Sequence, residues 1–193
     1  VEHENYVKEL LRYVINDLNR FRILKGDNTL GGMVICETSD QARSIFAMFD
    51  EIQNEINANS SIHSNLKAGL ILYDSDDKEP REKIVDDFKR NFKVDILIVF
   101  NMLLTGFDAP RLKRLYLGRK LKDYGLLQAI TRVNRPYKDN KYGYIVDFAD
   151  IKQNFEETNA AYLRELNRFN DPEETGLENI PNTFTQVIED KDA

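Results

Sequence analysis

Two short segments combine residue types and spacings that could do chemistry. In the first, the apolar pair Val99-Phe100 runs into Asn101-Met102-Leu103-Leu104-Thr105-Gly106-Phe107-Asp108-Ala109-Pro110. A strand ending at Asn101 would turn through Thr105-Gly106-x-Asp108. Gly106 permits close backbone approach or a positive φ. Asp108 is a short acceptor suited to a ribose hydroxyl or a partner arginine, and Asn101 and Thr105 can donate to phosphate oxygens. The same residues also make an ordinary strand-end turn capped by Asp108. The second segment is Gln128-Ala129-Ile130-Thr131-Arg132-Val133-Asn134-Arg135-Pro136. On a helix, Gln128 and Arg132 are four apart and Arg132 and Arg135 three apart, so all three share one face. Two guanidiniums aimed one way suit a polyphosphate, because each keeps its charge and presents a planar fork of donors. An arginine finger works in this way and is worth about 10³–10⁵ in rate. A solvent-facing basic helix is the open alternative.

Other chemistries lack their residues. The phosphate-cradling pattern GxxxxGK[ST] is absent, and no Asp-Glu pair follows an apolar strand where Mg²⁺ would sit. Nucleotide chemistry would therefore need a second partner domain. With two histidines, His3 and His63, the chain supports no Ser/His/Asp or Cys/His arrangement and no metal site. The single cysteine, Cys36, excludes an intramolecular disulfide and fits a reducing, cytoplasmic setting.

The elements that would position these segments alternate along the chain. Residues 5–25 carry apolar positions at helical spacing: Tyr6, Leu10, Tyr13, Val14, Leu18 and Phe21. Met33 to Cys36 is a continuous apolar run, as in a buried parallel strand. It passes directly into Thr38-Ser39-Asp40-Gln41, a capping-box pattern opening a helix through Ile56. A strand feeding a helix N-terminus is where α/β sheets place ligands. Leu66–Tyr73 is a second strand, weakened by Gly69. Pro80 opens a helix with Ile84, Val85 and Phe88 on its apolar face. Val94–Phe100 and Arg114–Leu117 read as strands. Leu126–Val133 reads as a helix stopped by Pro136, Tyr142–Phe148 as a last strand, and 150–167 as a helix. The alternation predicts an α/β domain with a largely parallel sheet.

A chain of 193 residues with 41% apolar content can build one sizeable core. No apolar run approaches the roughly twenty residues of a membrane span, so no membrane association is expected. The first residue is Val1, which suggests a piece of a longer protein. Net charge is −6, yet residues 111–141 hold ten basic residues against two acids, while 171–193 hold seven acids and one lysine. The basic segment could face phosphate or form a solvated face. The acidic tail reads as loose.

Together, Thr105-Gly106-Phe107-Asp108 and Gln128-x-x-x-Arg132-x-x-Arg135 resemble motifs V and VI of superfamily 2 helicases and translocases, with Thr131 where Gly is common. The runs LLTGFDAPRL, YLGRKLKDYGLLQAITRVNRPY and YGYIVDFADI are similar to the motor (R) subunit of type I restriction enzymes from Val94 to Ile151. The strand at Met33 with Thr38-Ser39 resembles the motif IV region. The resemblance implies a three-layer RecA-like α/β domain over 1–150 with a mostly parallel sheet and no P-loop of its own. This would be the second of two lobes, followed by a helix at 151–170 leading to a helical region and by the 171–193 tail. ATP would lie between the lobes, the first lobe of the same parent chain supplying the P-loop and the Mg²⁺ ligands. No residue here would bind metal. Arg132 and Arg135 would be the catalytic arginines. Gly106, Asp108 and Gln128 would contact nucleotide, with Asp108 able to couple to motif VI instead, and Ser39, Asn101 and Thr105 would hold the DNA backbone. The implied parent is an ATP-dependent type I site-specific deoxyribonuclease that translocates double-stranded DNA, assembled with modification and specificity subunits; the isolated chain would be inactive. The second lobe of another superfamily 2 helicase, and a non-catalytic nucleic-acid- or protein-binding module, are the alternatives.

Overall fold

Five apolar runs become the main strands of one parallel sheet: β1 (Gly31–Ile35), β2 (Ala68–Leu72), β3 (Ile96–Phe100), β4 (Leu112–Leu117) and β5 (Tyr144–Asp147). A sixth, two-residue strand, β6 (Ile188–Glu189), pairs with β5. The computed structural model describes residues 2–60, 63–72, 78–100, 107–119, 121, 123–148 and 188–189. Asn101, Thr105, Gly106, the helix expected over 150–167 and most of the acidic tail lie outside them. The strand order is β2-β3-β1-β4-β5-β6, every pair parallel.

Among the described residues, four helices cover the sheet: α1 (Glu2–Lys25), α2 (Ser39–Asn59), α3 (Lys78–Lys89) and α4 (Asp123–Val133). Strand side chains alternate between two cores. Val34, Ile96, Ile98, Tyr116 and Val146 join α1 and α2 through Leu11, Val14, Leu18, Ile45 and Ile52. Met33, Ile35, Leu97, Val99, Leu115 and Leu117 join α3 and α4 through Phe88, Leu126, Ile130 and Val133. Both faces of each central strand are buried, which is why those strands read as unbroken apolar runs. The result is three layers, α/β/α. Gly69, which weakens β2 by propensity, is required by packing: a Cβ there would stand 2.6 Å from Ile84 Cγ2 on α3.

The crossover from β1 through α2 leads to one edge of the sheet. The crossovers through α3, after β2, and α4, after β4, advance towards the other edge on the opposite face, as right-handed crossovers require. The crevices beside the C-terminal end of β1 are therefore the sheet's switch points. Thr38 opens α2 there, its hydroxyl accepting from the Gln41 amide at 3.1 Å. The expected capping box is shifted by one residue, because Gln41 Oε1 accepts from the Glu37 amide at 2.8 Å rather than from Thr38.

Two irregularities shape the rest. The β1/β4 register slips between Gly31↔Leu112 and Gly32↔Arg114, leaving Lys113 as an extra residue in β4. Strict alternation back from Leu117 would put Leu112 on the α1/α2 face, yet Leu112 packs in the α3/α4 core with Leu115 and Leu117. The bulge therefore places Leu112 and Lys113 together on the α3/α4 face. The second irregularity corrects the reading of 111–141 as a basic face. Arg111, Lys113 and Arg114 are 1%, 0% and 5% exposed. Arg111 donates to the carbonyls of Phe88 and Val94 and stacks 4.7 Å from the Phe88 ring. Arg114 lies 4.4 Å from the Phe21 ring and 3.2 Å from Asp17. These cations are interior fasteners, held by partners distant in sequence.

Candidate functional site

The two chemistry-bearing segments meet at one contact. The Arg135 guanidinium donates to the Asp108 carboxylate, 27 residues away, in an ion pair at the protein surface. Asp108 reaches that position because its neighbours are anchored. Phe107 and Ala109 are both 2% exposed in the α3/α4 core, so the residue between them turns outward. Lys89 Nζ sits 4.9 Å from the Phe107 ring, adding a positive charge on the α3 side.

Arg135 is not on the helix, as the spacing argument had it. α4 ends at Val133, and the Arg135 amide bonds back to the Val133 carbonyl at 2.9 Å. Pro136 is the cause: its ring disfavours helical backbone at the preceding residue and it brings no N–H. Gln128 and Arg132 do share a face of α4, both half-buried. The direction of Arg135 is set instead by the turn after the helix. Thr131, the departure from the common Gly, faces solvent and donates its hydroxyl to the Gln128 carbonyl at 2.9 Å, so the helix absorbs it without strain.

That turn is tied down beyond Pro136 as well. Tyr137 and Asn140 exchange backbone hydrogen bonds of 2.9 Å. Lys138 Nζ donates to both Asp27 carboxylate oxygens, at 3.0 and 2.9 Å, and to the Thr29 hydroxyl at 2.7 Å, reaching the α1–β1 connection. Burial pushes the Asp27 carboxyl up, but hydrogen bonds from Thr29 and Lys138 outweigh it and hold the pKa below the ordinary value. Beneath the turn, Lys113 Nζ donates to the Arg135 carbonyl.

Ser39 is the first residue of α2, half-buried, on the opposite layer from α4 and beside the C-terminal end of β1. Asn101, Thr105 and Gly106 lie outside the described residues; of the predicted group, Asp108 and Arg135 are brought into contact. Cys36 is buried, and burial drives its thiol up to about 12 despite the nearby Arg119 charge, so it is no nucleophile. Among the described residues no three His, Cys, Asp or Glu side chains gather to hold a metal, and no helix is long and apolar enough to cross a membrane. A groove of about 590 Å³ lined by Tyr6, Leu10, Tyr13 and Phe148 lies along α1 and contains none of the predicted residues. Sequence reasoning missed Lys113; the one available signal was a lysine directly before the apolar end of a strand.

The family model described as type I restriction enzyme subunit R domain 3 matches residues 36–150, more than half of the chain and all eight predicted site residues. A Methanocaldococcus jannaschii protein, provisionally named the type I restriction enzyme MjaVIIP endonuclease subunit, is 48% identical over 88 residues, 46% of this chain and 8% of that protein. The chain thus matches about a tenth or less of the length of its curated relatives. Among solved structures, a fragment of a provisionally assigned HsdR subunit of a type I restriction enzyme from Vibrio vulnificus superposes with TM-score 0.55 at 18% identity, over 80% of this chain and 30% of that one. Mss116p DEAD-box helicase domain 2, bound to an RNA duplex, superposes with TM-score 0.52 at 16% identity, over 81% and 56%. At these identities the likeness is one of fold, and the fold is the RecA-like second domain of helicases. With its parallel α/β/α layers and the match over 36–150, the chain belongs to the type I restriction enzyme R subunit family, in domain 3 of that subunit.

Proposed function

We propose that this chain is the second lobe of an ATP-dependent double-stranded DNA translocase in a type I restriction-modification system, completing an ATP site formed with a first lobe of the same parent protein. The observation that carries the reading is the Arg135–Asp108 ion pair. It sets an always-charged guanidinium at the surface, its side chain 36% exposed, on a turn fixed from several sides. A γ-phosphate carries more charge than one carboxylate. When the lobes close, it would draw Arg135 from Asp108, and Arg132 would approach from the last turn of α4. Stabilising charge on the transferring phosphoryl group is what such arginines contribute. Gln128, Gly106 and Asp108 are assigned to the nucleotide.

Ser39, Asn101 and Thr105 are assigned to the DNA backbone along the C-terminal rim of the sheet. Backbone contacts carry no sequence information, which suits a motor that moves over any sequence. Lobe opening after hydrolysis would shift that grip. Modification and specificity subunits, in a cytoplasmic complex, would supply recognition. The described residues do not suit Mg²⁺, lacking a cluster of acids, and the ion's ligands are assigned to the first lobe.

The test is ATP hydrolysis by the full-length parent with and without double-stranded DNA, beside its Arg135→Ala variant. DNA-stimulated turnover that falls by about 10³-fold or more in the variant supports the reading. The exposed ion pair contributes only about 0–1 kcal/mol to stability, so the variant should fold normally. Turnover indifferent to both DNA and Arg135 would sink the proposal.

A further inference from the structure

The lysine beneath the post-helix turn has no explanation in stability. Lys113 is the extra residue of the β4 bulge and is 0% exposed. Burying a cation costs free energy that neighbouring charges can repay, yet no salt bridge among the described residues reaches it. The ionisable residues around it are committed elsewhere. Arg111 turns to the carbonyls of Phe88 and Val94, Arg114 to Asp17 across the sheet, Arg135 to Asp108, and Lys138 to Asp27. Burial accordingly pushes the Lys113 ammonium down to about 8. A methionine would fill the space without that cost. What the lysine adds is one directed hydrogen bond, from Nζ to the Arg135 carbonyl.

We propose that Lys113 is a positioning residue for Arg135, fixing the backbone of the arginine that reaches the nucleotide; this rests on the ATPase reading above. The placement is economical. The carbonyl lies just past the C-terminus of α4, where unpaired carbonyls and the helix dipole favour a cation. Pro136 removes the next N–H, so the turn cannot be stabilised by continued helix. The bulge is the device that aims Lys113 at this point, bulges being a common means of re-aiming a side chain beside a site. With Asp108, from the connection before β4, holding the side chain and Lys113, from β4, holding the backbone, Arg135 is fixed from two directions before any phosphate arrives.

The experiment uses the full-length parent protein and compares wild type, Lys113→Met, Arg135→Ala and the double variant. Four quantities are read: kcat, KM for ATP, the pH profile of kcat from 7 to 9.5, and the thermal unfolding midpoint. Misplacement of a catalytic group predicts a kcat of Lys113→Met lower by about 10–100-fold, with KM for ATP little changed. Its unfolding midpoint should equal or exceed wild type. Adding Lys113→Met to Arg135→Ala should cost nothing further. Wild-type kcat should fall as pH rises through about 8, where the ammonium discharges, and the methionine variant should lack that limb. Unchanged kcat and pH profile in Lys113→Met, beside a crippled Arg135→Ala, overturns this inference alone. A loss that persists in full on top of Arg135→Ala, or that tracks a lower unfolding midpoint, reduces Lys113 to a structural residue and also overturns it. Full turnover in Arg135→Ala overturns this inference together with the ATPase reading.

Discussion

Gly143 presses directly on Val133: a Cβ added to Gly143 would overlap the Val133 Cγ1 and carbonyl oxygen and stand 2.8 Å from its carbonyl carbon. The last residue of α4 and the residue before β5 thus touch backbone to backbone. Gly143→Ala must move the end of α4 or the start of β5, and overpacking of this kind costs about 1–3 kcal/mol. Denaturant unfolding should show that loss. In the parent protein ATP turnover should drop as well, because Arg135 rides on the displaced turn. Wild-type stability in the alanine variant would refute the close approach.

Arg111 is expected to be among the least replaceable residues. Its guanidinium satisfies carbonyls from Thr29, Phe88 and Val94 and lies 3.7 Å from Asp95, which also pairs with Arg22 at 2.6 Å and accepts from the Lys67 amide at 2.9 Å. Arg111→Ala leaves the Asp95–Arg22 pair in place but strands three interior carbonyls. Each buried acceptor left without a donor costs about 1–3 kcal/mol. A shift below about 1 kcal/mol in chemical denaturation would mean that water replaces the guanidinium.

Asp27 should give the fold an acid-sensitive component. Its folded pKa lies below the ordinary 3.8, so the unfolded chain binds the proton more readily. The stability it contributes is full above that ordinary value and is lost as pH falls through the lowered folded value. Unfolding free energy measured from pH 6 downwards should therefore decline less steeply in Asp27→Asn than in wild type. Parallel curves would remove Asp27 from the acid response.

The chain alone should not turn over ATP. The proposed site is half a cleft, with its arginines in place and the phosphate-cradling loop elsewhere in the parent. Purified residues 1–193 should show no hydrolysis above buffer with or without DNA, and recovery of activity should require the first lobe. Turnover by this piece that survives repeated purification would contradict the half-site assignment.

The layers and the central strands were legible in the sequence for a plain reason. In a parallel sheet covered on both faces, Met33–Cys36 and Ile96–Phe100 have no side facing water, so the apolar runs are unbroken. Strand β4 was only half legible, its start placed at Arg114 instead of Leu112. Lys113 and Arg114 look like surface residues by type, and their burial is decided by Asp17, Phe21, Tyr144 and the Arg135 carbonyl, none nearby in sequence. The Arg135–Asp108 contact was legible as two motifs but not as geometry. Helical spacing put Arg135 on the face of Arg132, whereas the turn before Pro136 and the carboxylate across from it decide where it points.

The central place of β1 has a consequence for how the chain is made. Its two neighbours, β3 and β4, are synthesised long after it: Ile35 pairs with Val99 and with Leu117, the latter about 80 residues later. At about 5–20 residues per second, a ribosome needs roughly 4–16 s to supply that second partner. Early in that interval only α1, and then α2, can cover β1, and on one side alone; Met33 and Ile35 on the other side await α3, complete at Lys89, and α4. The nascent chain is therefore most open to chaperone capture before α3 emerges, and the second edge of β1 stays open to mispairing until Leu117 leaves the exit tunnel.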